Sequence, residues 1–204
     1  MMHDPLLKYR EQHKHRLNYM PWLYWSLKPK HREWAEEWQK EYQNYLMEME
    51  TVEIGNNCFI SPLAHIFAER GRKITIGDNT FIAGDCTLHG PLEIGSEVAI
   101  NHHCILDGGR AGIKLHDQVR IAAYSHLYAF DHGMDLDRPI YQQAVRSLGI
   151  EIGRDVWLGA HVGIKDGIKV GDHAVIGMNS MITKDVEPHA IMAGNPAKLI
   201  RYRK

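Results

Sequence analysis

The amino-acid sequence predicts a mainly β protein, in which a β-helix of about six coils follows an N-terminal helical segment. From residue 54 onward, an aliphatic residue recurs in six-residue steps. Residues 3–50 differ, because they contain no glycine and hold four of the five tryptophans. A fixed internal period indicates a solenoid, since each short unit buries its apolar side chains only when further units stack on it.

Residues 1–50 are predicted to form two or three helices. Four aromatic residues at helical spacing place one stripe along one helix face: Trp34, Trp38, Tyr42 and Tyr45. Pro21 and Pro29 bracket a shorter apolar segment before that helix. Because the ends of a solenoid expose unpaired backbone groups, we expect these helices to cap the first coil or to pack on a flank.

Residues 51–193 are predicted to form the repeat, in which three hexads make one coil of 18 residues. The aliphatic column consists of Ile54, Ile60, Ile66, Ile76, Ile82, Leu88, Ile94, Ile100, Leu106, Leu115, Ile121, Leu127, Ile152, Leu158, Ile164, Val170, Ile176 and Ile182. Successive coils start 22, 18, 21, 37 and 18 residues apart. Each excess over 18 is therefore an insertion at a corner, and the largest is the loop 133–151.

The corners and the end of the repeat have their own signatures. Glycine followed by Asn, Asp or another polar residue opens most coils, and these residues tolerate tight corners. The fifth position of each hexad is mostly small or β-branched. Pro188 and the turn at Asn195 and Pro196 end the repeat, so residues 194–204 are expected to leave the prism as a strand or short helix.

Composition and charge exclude several classes of protein. The chain has 24 Lys and Arg against 25 Asp and Glu, which argues against nucleic acid as a partner. No segment approaches the roughly 20 apolar residues of a transmembrane helix, and the charged N-terminus does not resemble a signal peptide. The three cysteines form no CxxC pair, which favours reduced thiols and a cytoplasmic location.

Residues 52–204 resemble the hexapeptide-repeat acyltransferases. Within that superfamily, the segments DHGMDLDRPIYQQ, VWLGAHVGI, IGMNSMITKDV and AGNPAKLIR are similar to the sugar and polysaccharide O-acetyltransferases. The resemblance implies a left-handed parallel β-helix, acetyl-CoA as cosubstrate, and a sugar or glycan hydroxyl as acceptor. It also implies a homotrimer with active sites between subunits. The first 50 residues do not match the helical segment of galactoside and maltose acetyltransferases.

His132 is the predicted general base. We expect it to close the fourth coil directly before the long loop, where a loop meets a rigid wall. Acyl transfer to an alcohol needs a base within hydrogen-bond reach of the hydroxyl, and imidazole meets this need. In the resembling enzymes a histidine at this register is the base. Asp131 or Asp135 would orient the ring and stabilise the imidazolium, or would only cap a turn.

The resemblance also implies an acceptor-binding set: Asn101, Asp107 and Gln143. Asn101 either contacts the acceptor or forms a structural side-chain ladder, and Gln143 either contacts the acceptor or fixes the loop. The acceptor carboxylate of the family falls one or two positions after Asp107, where this chain has Gly108 and Gly109. As an alternative, the aromatic residues of the helical segment would form a platform for a sugar.

The donor-binding set is implied by CoA lying along the outside of the prism between two subunits. The matching positions are Ala160, Met178, Thr183, Lys184, Lys198 and Arg201. The cations among them suit the phosphates of CoA, although Lys198 and Arg201 are also consistent with a solvated basic tail. Because galactoside acetyltransferase has Ser where this chain has Ala160, an oxyanion there would be stabilised by backbone N–H groups.

Two other functions are alternatives. A metal enzyme similar to γ-class carbonic anhydrase would need three histidines from adjacent subunits around one ion, and four histidines are candidates: His102, His103, His126 and His161. A non-catalytic scaffold or nucleotide-sugar binder would keep the prism without the chemistry. The C-terminal motifs favour the transferase, for which we expect no metal.

Overall fold

The computed structural model describes residues 6–204. The helical segment consists of α1 (Leu7–Tyr19), a 3-10 helix (Pro21–Ser26) and α2 (Pro29–Met49). Pro21 and Pro29 both stand in the first turn of a helix, where the missing N–H of proline removes no hydrogen bond. Within the described residues, no helix is both long and apolar enough to cross a membrane.

The strands of the repeat are short and follow one another in coils. The first three coils contain β1 (Val52–Ile54), β2 (Phe59–Ile60), β3 (His65–Phe67), β4 (Ile74–Ile76), β5 (Phe81–Ile82), β6 (Thr87–His89), β7 (Leu92–Ile94), β8 (Ala99–Ile100) and β9 (Ile105–Asp107). The fourth coil contains β10 (Ile113–Leu115), β11 (Arg120–Ile121) and β12 (His126–Tyr128), and a hairpin of β13 (Asp131–His132) and β14 (Val145–Arg146) follows it. The remaining strands are β15 (Ile150–Ile152), β16 (Trp157–Leu158), β17 (Gly163–Ile164), β18 (Lys169–Val170), β19 (Val175–Ile176), β20 (Met181–Ile182), β21 (Ala190–Gly194) and β22 (Ala197–Tyr202).

Stacking of the coils gives a prism with three parallel sheets, which confirms the predicted mainly β, β-helical fold class of about six coils. Face A is β1-β4-β7-β10-β15-β18, and face C is β3-β6-β9-β12-β17-β20. Face B is β2-β5-β8-β11-β16-β19, continued by β21 and β22. Because β22 pairs antiparallel with β21, most of the C-terminal tail extends face B instead of leaving the stack.

The predicted aliphatic column forms the core of the prism. Every member is buried except Ile54, which is half-buried at the first coil. The fifth-position residues are also buried, and their polar members are paired within the prism. For example, the Thr80 hydroxyl donates to the Gly95 oxygen at 2.9 Å, and the Ser125 hydroxyl donates to the Gly159 oxygen at 3.0 Å. Burial of these hydroxyls therefore leaves no unpaired group.

Helix α2 closes the open end of the prism through two glutamines. Gln39 is 1% exposed, its Oε1 accepts from the Ile60 N–H at 2.8 Å, and its Nε2 donates to the Ile60 oxygen at 3.1 Å. Gln43 adds a bond from Nε2 to the Cys58 oxygen at 2.9 Å. The first strand of face B therefore has its edge groups paired by side chains, so it offers no edge for another chain.

The helical segment also packs on the outer side of face B. Trp38 lies 5.9 Å from Phe59, between ring centroids, and both belong to a second apolar cluster outside the prism. The predicted aromatic stripe fails at Tyr45, which is 57% exposed, while Leu46 takes the buried position. At about 100° per residue, Tyr45 lies roughly 20° around the helix from Trp34, whereas the buried Ala35, Gln39 and Leu46 lie roughly 100° to 140° from it, so the contact face is centred to one side of the aromatic stripe. The helices thus both cap and flank the prism.

Candidate active site

The insertions of the repeat all lie at one corner of the prism. Residues 68–73, 108–112 and 129–149 each connect face C to face A, and we call this edge the C–A corner. Because the coils are stacked, these three loops are brought together although they are far apart in the sequence. Loops held against a rigid sheet edge are where binding and catalytic groups are usually placed.

His132 lies inside the longest insertion, in the hairpin of β13 and β14. It is paired with Val145, and Asp131 is paired with Arg146. The imidazole is exposed and makes an edge contact with Phe130, with 6.3 Å between ring centroids. The expectation that His132 closes the fourth coil is wrong, because the wall strand ends at Tyr128 and the chain turns outward after the buried Ala129.

Within the described residues of one protomer, neither carboxylate that was predicted to orient the His132 ring is hydrogen-bonded to it. In the part of the chain that the structure describes, neither Asp131 nor Asp135 has a side-chain hydrogen bond or ion pair with His132. Asp135 instead takes part in the loop through its backbone N–H, which donates to the Gln143 Oε1 at 2.9 Å. Orientation of the base therefore stays a prediction.

Gln143 holds the tip of the hairpin loop together. Besides accepting from Asp135, its Nε2 donates to the backbone oxygens of Asp135 and Arg138, each at 2.8 Å. Three bonds within one loop satisfy most of the capacity of an amide side chain. Of the two roles left open for Gln143, the structure shows the one that fixes the loop.

Two residues that the sequence reasoning missed anchor the base of the hairpin. Asp166 is 3% exposed and accepts from the N–H groups of Leu148 and Gly149, at 2.8 to 2.9 Å. Ser147 bridges two loops, because its Oγ accepts from the N–H groups of Arg110 and Ala111, both at 2.9 Å, and donates to the Ala129 oxygen. The sequence signal that could have indicated Asp166 is its position, since it is a carboxylate at the C–A corner one coil after the hairpin.

Replacing Asp166 by alanine is expected to lower the free energy of unfolding by about 2–3 kcal/mol, because two backbone N–H groups lose a buried charged acceptor. Activity should also fall, since the base of the hairpin that carries His132 loosens. Asp137→Ala is the matched control, because Asp137 is exposed in the same insertion, and it should change stability by no more than about 0.5 kcal/mol. Urea unfolding measures both variants, and equal losses would show that Asp166 is no anchor.

Asp107 lies below the hairpin in a network of charged side chains. Its Oδ2 is 3.4 Å from His89 Nδ1, and its Oδ1 is 3.8 Å from Arg72 Nη2 and accepts from the Gly109 N–H at 3.0 Å. Glu69 completes the network through His89 Nε2 at 3.2 Å and Arg72 Nε at 3.1 Å. A hydrogen bond from its own backbone, and then one from His89, lower the pKa of Glu69.

A cavity of about 320 Å³ joins this network to the hairpin. Its lining consists of Arg72, His89, Asp107, Gly109, Arg110, Phe130, Val145 and Ser147. Phe130 contacts His132, and Val145 is the strand partner of His132. The structure therefore brings Asp107 and the surroundings of His132 to one cavity, which both charged and apolar side chains line. This cavity is the candidate acceptor pocket within one protomer.

The two glycines after Asp107 are required by the packing of the loops. A Cβ on Gly108 would overlap the backbone oxygen of Pro91, and a Cβ on Gly109 would overlap the backbone oxygen of Ala129. Gly109 also has a φ of +55°. A side chain at Gly109 would also press on the Ser147 hydroxyl, which bridges two loops. The departure from the family pattern is thus a consequence of the inserted loops.

Asn101 lies at a different corner, between faces B and C. Its Nδ2 donates to the Ile121 oxygen of the next coil at 2.9 Å, so the side chain links neighbouring coils. It also lines a cavity of about 470 Å³ on face B together with Trp22 and Trp25. If the aromatic residues of the helical segment bind a sugar, this is where they would do so, because Trp22 is 50% exposed. Asn101 does not share the cavity of Asp107.

The predicted donor residues occupy three parts of the prism. Ala160 and Met178 lie one coil apart at the B–C corner, and Met178 is 65% exposed. Lys198 is close to the same corner, since the turn before it is fixed by the Gly194 N–H donating to the Ser180 hydroxyl at 3.1 Å. The remaining three are exposed elsewhere: Thr183 and Lys184 at the C–A corner, and Arg201 farther along β22.

Two of the four histidines that motivated the metal alternative stack on a tyrosine between them. His103, Tyr124 and His161 occupy equivalent B–C corner positions, and their ring centroids are 4.7 and 4.9 Å apart. His126 lies on face C. Among residues 6–204, no group of three or more His, Cys, Asp or Glu is arranged to hold a metal ion. The metal alternative therefore has no ligand cluster within the described part of one protomer.

Comparisons with known proteins agree with this architecture. A profile of the family "Bacterial transferase hexapeptide (six repeats)" matches residues 149–184. A chloramphenicol acetyltransferase from Agrobacterium fabrum is 32% identical over 163 residues, which are 72% of this chain and 77% of the relative. Galactoside O-acetyltransferase from Escherichia coli K12 is 29% identical over 150 residues, which are 72% of this chain and 62% of the relative. Three further chloramphenicol acetyltransferases match over 25% to 56% of their own length.

A solved structure extends the comparison to a complex with coenzyme A. AntD, an N-acyltransferase from Bacillus cereus, was solved in complex with dTDP and coenzyme A. It superposes with a TM-score of 0.71 at 27% sequence identity, over 79% of this chain and 89% of that chain. The likeness covers the repeat and is not limited to the residues that the family profile matches.

Proposed function

The chain belongs to the hexapeptide-repeat acyltransferases, and on this premise we propose that it transfers an acetyl group from acetyl-CoA to a hydroxyl of a sugar or glycan. The observation that carries the proposal is the anchored hairpin, which presents the exposed His132 beside the cavity of Asp107. Relatives named chloramphenicol acetyltransferase and galactoside O-acetyltransferase support acetyl transfer. The neighbour solved with coenzyme A supports the donor.

In the proposed mechanism the neutral imidazole of His132 accepts the proton of the acceptor hydroxyl. The hydroxyl oxygen attacks the thioester carbonyl at the same time, and a tetrahedral oxyanion forms. The oxyanion collapses by breaking the bond between carbon and sulfur, and the imidazolium returns its proton to the departing thiolate of CoA. The products are the acetyl ester and free CoA, so no covalent acyl-enzyme and no metal take part. Backbone N–H groups near Ala160 would stabilise the oxyanion.

We further propose that the active site forms between subunits of a homotrimer. His132 lies at the C–A corner, whereas Ala160, Met178 and Lys198 lie at or near the B–C corner of the same protomer. Packing of prisms side by side would bring the C–A corner of one subunit against the B–C corner of its neighbour. A neighbouring subunit would also supply contacts to the exposed imidazole. The three buried free thiols are consistent with a cytoplasmic location as part of the proposal.

Transfer to an amine is a second candidate. The neighbour AntD is named an N-acyltransferase, and its likeness to this chain is as broad as that of the curated relatives. A neutral imidazole can also accept a proton from an attacking amine as the bond to the carbonyl carbon forms. The charged network of Asp107 and Glu69 at the end of the candidate acceptor pocket suits either a hydroxyl or an amino group.

Coenzyme A is expected to stabilise the protein against heat. A ligand that binds only the folded state at 100 times its Kd adds about 2.7 kcal/mol to the free energy of unfolding. Lys184→Gln should reduce the shift in Tm, whereas Lys169→Gln should leave it unchanged, because Lys169 pairs with Glu151 on face A. Thermal unfolding with CoA and with N-acetylcysteamine, which lacks the phosphates, makes the measurement. No shift with CoA would contradict the proposed donor.

A further inference from the structure

The helical segment contains a surface cavity, open to solvent, that the acyltransferase chemistry does not use. It has a volume of about 390 Å³ and lies between α1, the 3-10 helix and the start of α2. Its apolar lining comes from Leu17, Leu23 and Leu27, and Leu17 is 1% exposed. This volume is within the range of pockets that bind small ligands, about 300–1,000 Å³.

The polar part of the lining carries positive charge and no negative charge. Arg16, Lys28 and Lys30 line the cavity, and no Asp or Glu does. Within the described residues none of these three cations has a carboxylate within salt-bridge distance, whereas nearby Arg32 pairs with Glu36 and Lys14 pairs with Glu11. The chain thus neutralises neighbouring cations and leaves those of the cavity unpaired.

Helix α2 makes the concentration of charge more unfavourable. Lys28 is its N-cap and Lys30 is in its first turn, where there is no acidic residue and no side-chain cap. Cations at the positive N-terminus of a helix are repelled by its dipole, and the N-terminus instead favours an anion. The three cations are exposed to solvent, and a negative charge in the cavity would interact favourably both with them and with the helix N-terminus.

Two histidines beside the cations also indicate excess positive charge at the cavity. The rings of His13 and His31 are 4.6 Å apart between centroids, and both line the cavity. Burial, and then the proximity of His31 and Arg16, lower the pKa of His13. Protonation of His13 is therefore opposed first by its burial and then by the positive charge nearby.

We propose that this cavity binds a single-chain amphiphile with a phosphate head. The hydrocarbon tail would lie against Leu17, Leu23 and Leu27, where it leaves water. The phosphate would lie between Arg16, Lys28 and Lys30 at the N-terminus of α2, where its charge compensates theirs. The site is independent of the acyl-transfer reaction and lies on the part of the chain that caps and flanks the prism.

Titration calorimetry with octyl phosphate, below its micellar concentration, tests the proposal on the full chain. We expect saturable binding of one molecule per protomer, and weaker binding of octanol and of inorganic phosphate, since each lacks one of the two parts. The double variant Lys28→Gln, Lys30→Gln should bind about tenfold more weakly or worse. The matched control Lys8→Gln, Lys40→Gln removes the same charge from positions outside the cavity and should bind as wild type does.

Several outcomes would overturn the proposal. Equal weakening by both double variants would show a general charge effect, and octanol binding as tightly as octyl phosphate would show an apolar pocket without an anion site. Inorganic phosphate binding equally well would show an anion site without a tail. Binding to anionic vesicles but not to octyl phosphate would show a membrane-surface contact. His132→Ala should leave octyl phosphate binding unchanged, which separates this site from the proposed reaction.

Discussion

Replacing His132 by alanine is expected to lower kcat for acetyl transfer by a factor of about 100 to 10,000. The imidazole removes the hydroxyl proton only as the bond to the thioester carbon forms, so its loss destabilises the transition state and not the bound substrates. We therefore expect kcat and kcat/KM to fall together while KM for acetyl-CoA stays nearly constant. Release of CoA, followed with a thiol reagent in the presence of each accepted acceptor, provides the rates.

The matched control is His65→Ala. His65 is also an exposed histidine on a strand, but it lies on face C in the first coil, away from the hairpin. The variant should fold as wild type does, because surface substitutions usually leave stability nearly unchanged. Its rate should therefore stay within a factor of about two of the wild-type rate. Undiminished CoA release by His132→Ala, with a panel of acceptors that wild type acetylates, would remove His132 from the mechanism.

Replacing Gly109 by aspartate is expected to destabilise the protein by about 3 kcal/mol or more. The new Cβ would overlap the backbone oxygen of Ala129 and press on the Ser147 hydroxyl. Neither group can move freely, because Ser147 holds two loops together. The acetyl-transfer rate should fall as well, since Gly109 lines the candidate acceptor pocket.

The variant Gly71→Asp is the control that separates the stability cost of atomic overlap from the cost of a left-handed backbone conformation. Gly71 also has a positive φ, +88°, but nothing lies within 4 Å of a Cβ at that position. The left-handed conformation alone should cost about 1–2 kcal/mol. Urea denaturation of both variants gives the comparison, and a loss at Gly109 no larger than at Gly71 would show that the loops adapt to a side chain.

The prism could be predicted from the sequence because its determinants are local and repeated. Each coil contributes the same inward positions, so the column from Ile60 to Ile182 identifies the core without any knowledge of contacts. Even the location of the insertions follows, since every excess over 18 residues falls after a third hexad.

The packing of the helices was less predictable, as Tyr45 and Leu46 show, because a stripe of aromatic residues does not specify which side of the helix meets the prism.

The details of the candidate site could not be predicted, because they depend on contacts between loops. Asp166 and Ser147 act on groups 17 to 37 residues away, and no spacing in the sequence indicates those pairs. The hairpin that moves His132 out of the prism wall has only two residues in each strand, too few for a pattern of alternation. Gln143 was left between two roles that only the hydrogen bonds of the loop distinguish.

The central claim, transfer from acetyl-CoA to a hydroxyl with His132 as the base, is tested most directly by product analysis. Wild type and His132→Ala would be incubated with acetyl-CoA and matched pairs of acceptors that differ only in a hydroxyl or an amino group, chloramphenicol and simple galactosides included. Mass spectrometry and CoA release are then measured on the same samples. We expect wild type to form acetyl esters in equal amount to CoA, and His132→Ala to form almost none. Acetylation of amines alone, or equal ester formation by the variant, would contradict it.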